Sequence, residues 1–200
     1  MRLLVIIVLL ICSAAPCQAR QISPVEGLEA LRKAFAGITD FTAEITQEKR
    51  LSLLKRTMTM NGVIRFRKPD LFYLELAPPY ASRMVLKDNS LVQVMGAGGE
   101  RNRITLPPEQ GLRNWFEKIA RPVVTVPEGI KVVADHTGAL YTVTITPQGK
   151  GQVRELLVSF QEDGTVKRLV IAEQNGDRAV MSFRKVRRNV GLADKDFRLE

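Results

Sequence analysis

The sequence predicts an α+β fold: a long antiparallel sheet curled into a half-open barrel, with helices packed over its inner face. Three observations point there. About ten short segments alternate apolar and polar residues and are separated by turn signals. One amphipathic helix precedes them and a second helical stretch interrupts them. A sheet that long curls or splits into layers rather than lying flat, and a helix with a single apolar face needs a sheet to cover.

Composition sets the outer bounds. The chain has 200 residues, 45% hydrophobic and 26% charged, with a net charge of +9. Length favours one domain, and the balance of apolar and charged residues excludes a disordered chain or a polytopic membrane protein.

Residues 1–19 read as a secretory signal peptide. Arg2 supplies the positive start, Leu3 to Ile11 the apolar centre, and Cys17-Gln18-Ala19 the small-residue pattern before cleavage. The alternative is an uncleaved anchor. Ile11 and Pro16 precede Cys12 and Cys17 where a lipidated cysteine wants a small neighbour. Cleavage after Ala19 leaves one domain, residues 20–200, without cysteine, so disulfide, thiol and cysteine–metal chemistry are excluded from it. In a double-membraned bacterium the destination is the periplasm.

The first element begins at Ser23-Pro24-Val25-Glu26, a capping box with Pro in the first helical turn. Leu28, Leu31, Phe35 and Ile38 recur at helical spacing, and Gly37 ends the helix. Strands follow: Phe41 to Gln47, Met58 to Phe66, Phe72 to Leu76, Met84 to Leu86 and Leu91 to Met95. Pro107-Pro108 breaks the series and opens a helical stretch whose stripe is Leu112, Trp115, Phe116 and Ile119. Strands resume at Lys131–Ala134, Leu140–Thr146, Val153–Phe160, Lys167–Gln174 and Arg178–Val186. Asp163-Gly164 and Asn175-Gly176 between the last three are hairpin signals, because Gly and Asn tolerate positive φ.

The catalytic inventory is poor. His136 is the sole histidine, no serine stands in a nucleophile elbow, carboxylates are scattered, and Gly149-Lys150-Gly151 lacks the spacing of a phosphate loop. The reading is a protein that is not an enzyme and uses no metal or other cofactor. The basic side chains, among them Arg65, Arg67, Lys68, Arg184, Lys185, Arg187 and Arg188, form a solvated outer face or attract an anionic membrane or acidic partner. Phe66 and Phe183 alternate with them and point the other way, which argues against nucleic acid. Met60, Ile64, Phe66, Phe72, Leu74, Met84, Phe160, Met181 and Phe183 share the inner face. They form either a plain core under the helices or the lining of an adaptable apolar cavity, a use to which methionine is suited.

Longer stretches carry a resemblance. Phe41-Thr-Ala-Glu-Ile-Thr-Gln47, Gly62-Val-Ile-Arg-Phe-Arg-Lys-Pro69-Asp-Leu-Phe72, Pro78-Pro79, Asp163-Gly-Thr-Val and Asn189-Val-Gly-Leu, in that order, resemble the LolA-type periplasmic lipoprotein carriers. The resemblance implies an incomplete barrel of about eleven antiparallel strands with helices as a lid over a hydrophobic cavity. It implies a monomeric carrier that takes lipoprotein acyl chains from an inner-membrane ABC transporter to an outer-membrane acceptor. Another amphiphile as cargo, such as a glycolipid, or a sensor module of the same fold are the alternatives. It further implies that Lys68, where the family usually has Arg, latches the lid by hydrogen bonds to lid carbonyls. It puts Phe72 at the cavity mouth, and Leu112, Trp115, Phe116 and Ile119 on a second lid helix. Many members continue beyond the position of Glu200 into a Pro-rich tail and a last strand.

Overall fold

The computed structural model describes residues 20–96, 99–106, 113, 117, 121–149 and 151–199. Within them, twelve strands form one antiparallel sheet: β1 (Arg20–Ile22), β2 (Asp40–Leu51), β3 (Arg56–Arg67), β4 (Leu71–Leu76), β5 (Ser82–Lys87), β6 (Ser90–Met95), β7 (Glu100–Thr105), β8 (Ile130–Thr137), β9 (Leu140–Pro147), β10 (Val153–Gln161), β11 (Val166–Glu173) and β12 (Arg178–Arg188). Their spatial order is β1-β8-β9-β10-β11-β12-β2-β3-β4-β5-β6-β7. The sheet is open, with β1 and β7 as its edges. Helix α1 (Pro24–Ala36) follows β1, and a 3-10 turn spans Asp194–Phe197. The half-open antiparallel architecture is as the sequence predicts, with one strand more than the resemblance implies.

Helix α1 starts and stops for local reasons. The Ser23 hydroxyl accepts from the Glu26 amide at 3.2 Å, Pro24 occupies the first turn, and Gly37 caps the end. Its apolar stripe lies on β8–β10. Leu31 and Ala34 join Ile22, Val132, Ala134, Val143 and Phe160 in a closed core. The approach is tight: a Cβ at Gly27 would stand 2.2 Å from the Ala134 Cβ.

A second core occupies the same face at the sheet's centre, built from Ala43, Ile45, Ile64, Leu74, Val166 and Phe183. The opposite, outer face has its own small core, in which Phe197 packs on Leu71 and Tyr73 with Leu192 and Leu199 beside them. Period-two alternation along β4 explains the division: Leu71 and Tyr73 face outward, Phe72 and Leu74 inward.

Candidate functional site: the apolar inner face

Strand register sorts the inner face into cross-strand rows. One row runs Phe41–Phe66–Phe72–Leu86–Leu91–Ile104 across β2 to β7. The next runs Ala43–Ile64–Leu74–Met84, then ends on Gln93 and Asn102. A third links Leu169, Met181, Gln47 and Met60. Helix α1 packs on β8, β9 and β10, and its Phe35 also reaches the central core. Arg113, a helical residue, bonds to Asp70 at 2.6 Å and through its amide to Asp88 at 3.3 Å, at the β3–β4 and β5–β6 turns.

The residues singled out from sequence fall into two groups. Met60, Ile64, Phe66, Leu74 and Phe183 are buried, and Phe72, Met84 and Met181 are half-buried around them. Phe66 packs on Phe41 with ring centroids 5.5 Å apart. Phe160 belongs elsewhere: it is fully buried under α1, edge-on to Phe35 at 6.1 Å, in the closed core rather than the central one. Toward the β7 edge, exposure rises, with Met95 and Ile104 open to solvent. Gln47 adds a polar atom that sequence reading missed. Its side-chain oxygen is buried and has no hydrogen-bond partner among the described residues.

One end of α1 is tied to the sheet by polar contacts. Lys68 Nζ donates to the carbonyls of Phe35 (2.7 Å) and Ala36 (3.3 Å), two of the acceptors a helix C-terminus leaves unsatisfied. Burial pushes the Lys68 pKa below its ordinary 10.5. Asn189 Oδ1 accepts from the Thr39 amide at 2.8 Å while Asn189 Nδ2 donates to the Gly37 carbonyl at 3.0 Å. The buried Asp40 carboxylate accepts from the amides of Val190 (2.8 Å) and Gly191 (3.2 Å). Asn189-Val190-Gly191 is thus a buckle between the end of β12 and the helix–strand corner. Farther up the helix, Glu29 accepts from Arg32 and from the Val123 amide at 3.1 Å; these bonds, Arg32 first, hold its carboxyl down at about 2.

The predicted lid residues Leu112, Trp115, Phe116 and Ile119 lie outside the described residues. The basic cluster has a structural use that sequence reading did not foresee. Arg65 and Arg67 face outward and grip the C-terminal segment: Arg65 donates to the Asp196 carbonyl at 3.0 Å, and Arg67 donates to the Leu192 carbonyl and to the Asp194 carboxylate. Among the described residues no three His, Cys, Asp or Glu side chains gather as a metal site, and no helix is long and apolar enough to cross a membrane.

The class defined here is the half-open antiparallel sheet that carries a helix on an apolar inner face. Residues 36–200 match the family model described as outer membrane lipoprotein carrier protein LolA, and the chain belongs to that family. No curated protein matches it in sequence. Among solved structures, an uncharacterized conserved protein from Thermus thermophilus is similar at 13% identity, over 88% of this chain and 93% of that one, with a TM-score of 0.50. A LolA superfamily protein from Nitrosomonas europaea shares 10% identity over 89% and 98% of the two chains, with a TM-score of 0.45. The lipoprotein LppX of Mycobacterium tuberculosis shares 12% over 86% and 99%, with a TM-score of 0.44.

Proposed function

We propose that this chain is a periplasmic carrier that binds lipoprotein acyl chains on its inner face and moves them from an inner-membrane ABC transporter to an outer-membrane acceptor. The observation that carries this reading is the set of apolar rows on β3–β6, continuous with the core and beyond strands β8–β10, on which α1 chiefly packs. Family membership supports it. The signal peptide over residues 1–19, the single domain over 20–200, monomeric action and the absence of catalytic chemistry belong to the same reading.

Burying one methylene is worth about 0.8 kcal/mol, so exposing a chain of ~16 carbons to water costs on the order of 12 kcal/mol. Unassisted passage across an aqueous gap is therefore negligible. A protein face of comparable apolar area makes each transfer nearly isoenergetic. Met60, Met84 and Met181 suit chains that differ in length, because the unbranched thioether repacks easily. Gln47 offers its unpartnered oxygen to an amide N–H at the acylated end of a cargo.

Titration with a fluorescent fatty-acyl probe tests the site. Phe72→Glu places a charge in the aromatic row and is expected to weaken binding by at least tenfold, whereas Val124→Glu, far out in solvent, leaves it unchanged. Equal binding by wild type and Phe72→Glu would place the acyl site elsewhere.

A further inference from the structure

We propose that the tip of the β2–β3 hairpin docks the protein on anionic lipid surfaces. The segment reads Lys49-Arg50-Leu51-Ser52-Leu53-Leu54-Lys55-Arg56: four cations and no carboxylate. Leu53 and Leu54, adjacent at the tip, are 90% and 69% exposed. Scattered exposed leucines are ordinary, but a neighbouring pair ringed by charge of one sign is not. Arg50 pairs across the sheet with Arg178, which adds a fifth cation. None of the five makes an ion pair among the described residues. The nearby carboxylates include Glu48, Glu173 and Asp177, and Asp177 is turned to the Ser52 amide.

The tip is built firmly. The Lys55 amide donates to the Ser52 carbonyl, closing the turn. The Ser52 amide donates to Asp177 Oδ1 at 2.7 Å, which ties the hairpin to the β11–β12 turn. Gly176 makes the close approach possible, since a Cβ there would lie 2.9 Å from the Ser52 hydroxyl. Beside it, Arg56 donates to the Tyr80 hydroxyl at 3.0 Å, so an aromatic ring with a polar tip stands next to the basic ring.

Apolar tip, basic collar and flanking tyrosine match the layers of a membrane interface. Leucines enter the acyl boundary, Tyr stands at headgroup level, and Lys and Arg meet lipid phosphates. A lipid surface suits this feature better than a folded protein. A stable protein interface buries roughly 800 Å² on each partner, more than a hairpin turn presents, whereas a membrane engages it by depth. The assignment does not depend on the nature of the cargo. Its bearing on transfer is positional: Met58 and Met60 run from the tip toward the inner face along β3.

Flotation of the full chain with vesicles tests this. The unaltered protein is expected to float with phosphatidylethanolamine–phosphatidylglycerol vesicles and not with pure phosphatidylcholine vesicles. Leu53→Ser with Leu54→Ser is expected to lower binding by on the order of tenfold or more. Lys55→Gln with Arg56→Gln is expected to lower it by about fivefold per charge removed and to flatten its salt dependence. Circular dichroism melting, unchanged in both variants, shows that the fold is intact. Failure of the unaltered protein to float, or undiminished flotation of the double serine variant, overturns the proposal.

Discussion

The Lys68 ammonium donates to the Phe35 carbonyl across 2.7 Å, which fastens the C-terminal end of α1 to the β3–β4 corner. The same nitrogen reaches the Ala36 carbonyl. One side chain thus serves two acceptors that α1 cannot satisfy itself. Lys68→Met keeps the aliphatic stem and removes the donor. The expected result is a loss of about 1 kcal/mol and faster amide exchange within α1, with β2–β3 amides unchanged. Unaltered exchange in α1 would show that the contact does not hold the helix.

Asp40 is the second fastening. It is buried, and its carboxylate serves two backbone amides at the β12 exit. Asp40→Ala strands both amides, and a hydrogen bond to a charged group is worth about 1.5–3 kcal/mol. Denaturant unfolding of this variant is expected to show a loss of about 2–3 kcal/mol with an unchanged m-value.

Gly27 tests how closely α1 lies on the sheet. Alanine is the better helix former by about 1 kcal/mol, so propensity alone predicts stabilisation. The added Cβ would meet the Ala134 Cβ at 2.2 Å, and overpacking costs about 1–3 kcal/mol. Packing is expected to win, so Gly27→Ala lowers the melting temperature. A rise would mean that α1 is free to lift.

The pH dependence should carry the signature of Glu29. Its carboxyl is held down at about 2, against an ordinary value of 4.5, chiefly by the Arg32 hydrogen bonds and then by the Val123 amide. A depressed carboxylate contributes stability that is fully present above the unfolded value and is lost as pH falls through the folded one. The stability difference between wild type and Glu29→Gln is therefore expected to be constant above about pH 4.5 and to shrink between there and about 2. Melting curves of both proteins across this range read it directly.

Much of this fold is legible in local pattern. Ser23 and Pro24 open α1 and Gly37 closes it, as capping chemistry dictates. Strands with one buried face announce themselves by alternation. The edges do not: β7, Glu-Arg-Asn-Arg-Ile-Thr, is exposed at every position, and β1 has only Ile22 buried. An edge strand covers little, so its sequence carries little periodicity.

The inner-face residues were legible as a set, because β2, β3 and β4 alternate cleanly. Which of them α1 would cover was not, since that depends on helix placement and not on strand period. Phe160 and Phe183 look alike in sequence, yet α1 closes over Phe160. The roles of Arg65 and Arg67 were hidden for another reason. Their partners lie more than 120 residues away, and no local pattern encodes such contacts. Asn189 likewise carries its meaning only once Thr39 and Gly37 stand beside it.

The central claim is that the inner face holds acyl chains of lipoproteins. Native mass spectrometry of the protein purified from its own cells, followed by extraction of whatever is bound, tests it most directly. The account predicts acylated peptides or intact lipoproteins in one-to-one complexes, depleted in Phe72→Glu. Glycolipid as the sole ligand, or protein that is always empty, would contradict it.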